Sequence, residues 1–100
     1  MKFCVVAGII GFNNSVFKNR GDMTNLNLDT YTSNGVWAYY SSLGTLTSSP
    51  GFQTFVLVVF AVNNYHGVQI AFCNAGANAG KIKYRLIVNR TTETSWRTLI

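Results

Sequence analysis

The sequence predicts an all-β, mainly antiparallel domain: a small compact β-sheet knob with a short N-terminal attachment segment. Three observations carry that prediction. Nine glycines interrupt 100 residues at short intervals, and no stretch between them holds a long apolar pattern at helical spacing. The runs between them are short, rich in β-branched and aromatic residues, and bounded by Gly, Asn and Ser clusters. The run KIKYRLIV, residues 81–88, alternates with period two, as a strand does. Hydrophobic residues make up 48% of the chain and charged residues only 11%, against a usual charged share of about 25%. That composition excludes a disordered chain and fits a β domain with polar, uncharged loops. A domain this small and poor in charge has trouble hiding its apolar surface alone, so self-association is expected.

The chain divides into an attachment segment, residues 1–20, and a β-rich knob, residues 21–100. The opening MKFCVVAGIIGF imitates a signal peptide, but its apolar run is too short to span a bilayer and no small-x-small cleavage site follows it. Phe3, Val5, Val6, Ile9, Ile10 and Phe12 are therefore candidate docking or oligomer contacts. Residues 18–23, KNRGDM, contain the Arg20-Gly21-Asp22 tripeptide of integrin ligands, but their polar flanks read as a linker between attachment segment and knob.

The first strand of the knob is read at residues 35–41 (GVWAYYS), entered through the turn-like Thr32-Ser33-Asn34-Gly35. Ser48-Ser49-Pro50-Gly51 is a turn, with Pro presetting φ. It leads to residues 55–62 (FVLVVFAV), a continuous apolar run suited to a central strand buried on both faces. Asn63-Asn64-Tyr65-His66-Gly67 turns the chain into residues 68–73, where Val68, Ile70 and Phe72 share one face and Gln69, Ala71 and Cys73 the other. The small-residue loop NAGANAG, residues 74–80, joins that strand to 81–88. There Ile82, Tyr84, Leu86 and Val88 point one way and Lys81, Lys83 and Arg85 the other. A loop at residues 89–94 precedes a short final strand near residues 96–99. The count is four or five antiparallel strands.

Chemistry-bearing residues are sparse. The acids are Asp22, Asp29 and Glu93, the one histidine is His66, and no serine stands in an elbow-like motif. Cys4, Cys73 and His66 lack metal-ligand spacing, so neither catalytic residues, a metal nor a cofactor is expected. Both cysteines sit in apolar stretches and read as buried free thiols, though one disulfide is compatible with the sequence. The net charge of +5 is scattered along the chain rather than gathered beside stacking aromatics, which argues against nucleic acid. The stripe Lys81, Lys83, Arg85 reads either as a solvated strand face or as a contact for an anionic glycan or protein. Trp37 and Tyr39 share a strand face and read as core or as a stacking platform. Tyr65 and His66 lie in a turn beside amides able to pair with sugar hydroxyls. Trp37, Tyr40, Tyr65, His66, Lys81, Lys83 and Arg85 are thus the candidate ligand contacts.

One longer pattern is more specific. Residues 27–37, NLDTYTSNGVW, resemble the opening of the pyocin-knob domain of bacteriophage fibres, which runs Asp-Leu-Asn, Thr, an aromatic or aliphatic residue, a polar turn, Gly, an aliphatic residue and an aromatic. Acid and amide are exchanged here, as Asn27-Leu28-Asp29, and Trp37 stands where Tyr is more usual. The end is similar too: a final hairpin, a Thr/Ser-rich loop, then Trp96-Arg97-Thr98-Leu99. The resemblance covers about residues 20–100. It implies a non-enzymatic knob on the capsid or tail surface of a virion, on a head or tail fibre. The fibre would be a homotrimer recognising host surface glycans or proteins. The apolar N-terminal run, which the resemblance does not cover, is the candidate segment for docking on other virion proteins or forming the trimer. Two alternatives remain: a capsid-decorating or connector protein whose knob serves assembly, and a secreted carbohydrate-binding module.

Overall fold

The computed structural model describes residues 18–63 and 65–100. Cys4 and the candidate docking residues Phe3, Val5, Val6, Ile9, Ile10 and Phe12 lie outside the described residues. The strands are β1 (Asn19–Asp22), β2 (Gly35–Tyr40), β3 (Thr54–Asn63), β4 (His66–Phe72), β5 (Ile82–Val88), β6 (Thr91–Thr92) and β7 (Arg97–Thr98). They form one sheet in the order β1-β2-β3-β4-β5-β6, with β7 also on β5. The all-β class is as the sequence predicts, and the described strands number seven. Every pairing is antiparallel except that of β1 with β2.

That parallel pair organises the domain. Parallel neighbours cannot be joined by a tight turn, so residues 23–34 must cross over a face of the sheet. They carry Met23, Leu28 and Tyr31, all buried, onto it. A 3-10 turn at Leu28–Thr30 is capped by Asn27, whose side chain accepts from the Asp29 amide at 3.0 Å. The β2–β3 connection crosses the same face and adds Phe52, with Leu43 and Leu46 packed alongside. The two connections hydrogen-bond to each other, Leu28 N–H to Thr47 O at 3.2 Å and Thr47 N–H to Leu26 O at 2.9 Å, as two adjoining strands would. Between this layer and the sheet lies the core, completed by Tyr39, Phe55, Leu57, Val59, Ala71, Cys73 and Ile87. Cys73 is a free thiol.

Three readings change. The stretch around Arg20-Gly21-Asp22 is an edge strand, not a linker: β1 starts at Asn19, before the boundary expected at residue 20. The loop at residues 89–94 instead begins as a two-residue hairpin turn, with Asn89 at φ 52° and Arg90 at φ 68° between the paired Val88 and Thr91. The third change is in β5. The alternation is real, but its polar side faces the core: Arg85 and Ile87 are buried beside Gln69 and Ala71.

The opposite side of the sheet is therefore apolar. In register across four strands stand Val36 and Ala38; Val56, Val58 and Phe60; Val68, Ile70 and Phe72; and Ile82, Tyr84, Leu86 and Val88. Val58, central among them, is nearly buried, whereas Phe72 and Val88 are 37% and 49% exposed. The core cluster draws no residue from this side. Thus β3, read as buried on both faces, packs Phe55, Leu57 and Val59 into the core and contributes Val56 and Phe60 to the half-buried apolar face.

Candidate functional site

Trp37, on the core side of β2, is the sequence candidate with the most developed surroundings. Its ring meets Tyr31 edge-on at 4.8 Å between centroids, and the Arg20 guanidinium lies 5.4 Å from it. Arg20 is held in place because its Nε and Nη2 both donate to Asn34 O, at 2.9 and 2.7 Å. Gly35 permits this approach, since a Cβ there would overlap Arg20 Nε and stand 2.9 Å from the Trp37 ring. Around them Thr24, Asn25, Thr30, Thr32 and Ser33 complete an open cleft of about 260 Å³. An aromatic ring edged by hydroxyls, an amide and one cation suits a polyhydroxylated ligand.

The other candidates are dispersed. Tyr40 projects from the apolar face, and its hydroxyl donates to Asp22 Oδ2 at 2.9 Å. Arg20 and Asp22 of the adhesion tripeptide are thus both engaged within the fold. Tyr65 lies at the β3–β4 turn with the Arg90 guanidinium 4.5 Å from its ring and bonded to its hydroxyl. His66 opens β4, exposed and opposite Val88. Lys81 is exposed just before β5. Lys83 donates to Pro50 O at 2.8 Å and lies 5.1 Å from the Phe52 ring.

Arg85 is not a surface contact, because its side chain has no exposed area. It lies under the crossover layer and joins three parts of the chain. Nε donates to Gln69 Oε1 at 2.7 Å, and Nη1 donates to Glu93 O at 2.8 Å and pairs with Asp29 Oδ1 at 3.0 Å. Gln69, itself buried, donates to Leu28 O at 2.7 Å and Tyr31 O at 2.8 Å, so the sheet grips the crossover at its 3-10 turn. The guanidinium carbon is 4.9 Å from the Trp96 ring, and Trp96 donates to Ser48 O at 2.8 Å. Nη2 finds no acceptor among the described residues. Burial pulls the Arg85 pKa below its ordinary value while Asp29 opposes that shift.

Asp29, half exposed, is the outer end of this network and lines a second cleft of about 280 Å³ with Ser48, Arg90, Thr91, Thr92 and Thr94. Desolvation raises the Asp29 pKa, but hydrogen bonds from Ser48, Thr92 and Arg85 outweigh it and hold the carboxyl below its usual range. The sign follows: a carboxylate with a lower folded than unfolded pKa contributes stability above the unfolded value, about 3.9, and loses it as pH falls through the folded value. Acid titration followed by circular dichroism should show stability declining below about pH 4 in the wild type and less steeply in Asp29→Asn. Equal slopes would show that Asp29 takes no part.

Sequence reasoning found Trp37 by its aromatic character but missed Asp29, Ser48, Arg90 and the Thr91–Thr92 strand. A glutamine in the apolar run VQIAF was the available signal, since a buried amide needs buried partners. Compared with known proteins, the chain matches no family model, no curated protein and no solved structure at a significant level.

Proposed function

We propose that the chain is the non-enzymatic knob of a virion fibre, a homotrimer that adheres to host or environmental surface glycans and docks on the virion through its N-terminal segment. The Trp37 cleft is the observation that carries the adhesive reading. Its Trp and Tyr rings, five hydroxyl or amide side chains and anchored arginine form a ready-made recognition surface with no carboxylate in it. The resemblance of residues 27–37 and 94–99 to the opening and end of pyocin-knob domains supports the setting. Binding by one such open site is weak, and three copies on one particle raise it through avidity.

The apolar side of the sheet supports the oligomer, and its occupant in this reading is further copies of the chain. Its centre carries no charged side chain across β2 to β5. Charges occur at its margins: Asp22 on β1 and the Glu93–Arg97 pair beside β7, the latter closed at 2.7 Å. An uncharged centre with a polar rim is the anatomy of a protein interface, and identical copies can meet there without stranding a charge.

A glycan array probed with the purified protein tests adhesion. Wild type should bind a reproducible subset of host polysaccharides, and Trp37→Ala should weaken that binding roughly a hundredfold, loss of one stacked anchor being amplified by multivalency. Silence across the array would sink the adhesive reading. The same apolar face then favours the second reading, a capsid-decorating or connector protein whose knob serves assembly alone.

A further inference from the structure

We infer that the cleft at Asp29 is a second saccharide subsite, one that takes a neutral sugar through a pair of adjacent hydroxyls. This rests on the adhesive reading above, but it concerns a different set of side chains. Asp29 and Thr30 are consecutive residues of the 3-10 turn, yet Asp29 lines this cleft and Thr30 the Trp37 cleft, so the turn divides the two.

The chemistry is that of hydroxyl recognition. Asp29 offers a carboxylate, Ser48, Thr91, Thr92 and Thr94 offer hydroxyls, and Arg90 offers donors. The Asp29 charge is already balanced by Arg85 from beneath, so the cleft presents the carboxylate and the Arg90 guanidinium as hydrogen-bonding groups. Such alternating acceptors and donors suit a neutral polyhydroxylated ligand. Adjacent sugar hydroxyls satisfy both groups at once, one donating to the carboxylate and the other accepting from the guanidinium.

The cleft is also pre-organised. Asp29 Oδ1 is fixed from beneath by Arg85 and from the side by Thr92 Oγ1, which donates to it at 2.9 Å. Arg90 is held against Tyr65 by ring contact and hydrogen bond. Side chains already immobilised lose little entropy when a ligand arrives.

Backbone strain points to the same place. Among the described non-glycine residues, Ser48, Asn89 and Arg90 have positive φ, at 61°, 52° and 68°, and two of the three, Ser48 and Arg90, line this cleft. The second position of a two-residue hairpin turn of this kind favours glycine, yet the chain places there an arginine that lines the cleft. Residues in sparsely populated backbone regions gather at ligand clamps, where the surrounding structure holds them.

Amide chemical-shift mapping of the full chain, titrated with methyl mannoside, methyl galactoside and methyl glucoside and separately with sodium sulfate, tests the inference. Saturable shifts should centre on Asp29, Ser48, Thr91, Thr92 and Thr94 with at least one glycoside and not with sulfate. Arg90→Gly suits the turn and removes the side chain, so it should keep thermal stability while weakening the glycoside roughly tenfold. Thr91→Val should weaken it in the same direction. Glycoside shifts confined to the surroundings of Trp37 would overturn this subsite and leave adhesion standing. Shifts produced by sulfate instead would overturn the neutral-sugar assignment. No shift with any glycoside, together with a silent array, would remove both readings.

Discussion

Replacing Asp29 with alanine is expected to destabilise the fold by about 2–4 kcal/mol, a large share of the roughly 5–15 kcal/mol of a domain this size. The loss comes from the partner rather than from Asp29 itself. Arg85 is fully buried, Asp29 is its ion-pair partner, and without the carboxylate a guanidinium is left among Gln69, a backbone carbonyl and the Trp96 ring. Half the Asp29 side chain stays in contact with water, which moderates the cost. Arg85→Met removes the charge together with its donors. It leaves Gln69 Oε1 and Glu93 O short of a partner and should cost about 1–3 kcal/mol, less than Asp29→Ala. The double variant should resemble Arg85→Met alone, because no charge is then stranded. Urea unfolding of the three variants checks the order. If Arg85→Met proved the more damaging single change, the arginine would be acting as packing and not as half of an ion pair.

Placing a lysine at Ile70 should break the proposed trimer while sparing the subunit. Ile70 stands mid-strand in β4 on the apolar face, flanked in register by Val58 and Tyr84. Its side chain points away from the core cluster, so the subunit keeps its core. An ammonium at the centre of a copy-to-copy contact would be buried without a partner, at a cost of several kcal/mol per interface. Sedimentation velocity should show wild type at three times the 11.0-kDa chain mass and Ile70→Lys at the chain mass with its β signal retained. An unchanged oligomer in the variant would move the interface elsewhere, and a monomeric wild type would end the trimeric reading. Should a chain lacking residues 1–17 lose the oligomer while Ile70→Lys keeps it, the N-terminal run would be the assembling element.

The fold class was legible because strands announce themselves locally. Glycines and amides end each run, β-branched and aromatic residues fill it, and residues 81–88 alternate without interruption. The boundaries of β2, β4 and β5 fall within two residues of those read from the pattern. β1 was not legible, because NRGD is polar on every side and becomes a strand only through its neighbour β2. At residues 27–29 the letters alone did not give the structural roles: Asn27 caps the turn, Leu28 is fully buried and Asp29 reaches Arg85. The Trp37 cleft was half legible, through its tryptophan. The Asp29 cleft was not, since Asp29 and Thr92 stand 63 positions apart and meet only because the crossover lays its 3-10 turn beside the β5–β6 hairpin.

By itself the sequence determined that this chain alternates between two chemically different faces, because a strand repeats every two residues whatever surrounds it. Which face would be buried was decided only by the tertiary structure. Charge argued for turning Lys83 and Arg85 outward and Ile82, Tyr84, Leu86 and Val88 inward. The parallel β1–β2 pair instead forces a crossover onto the Lys/Arg side, and that crossover brings Asp29 and two backbone carbonyls as partners for the Arg85–Gln69 pair. A buried arginine is tolerable where its ion pair and hydrogen bonds replace water, and the apolar residues are thereby turned to the opposite face of the sheet.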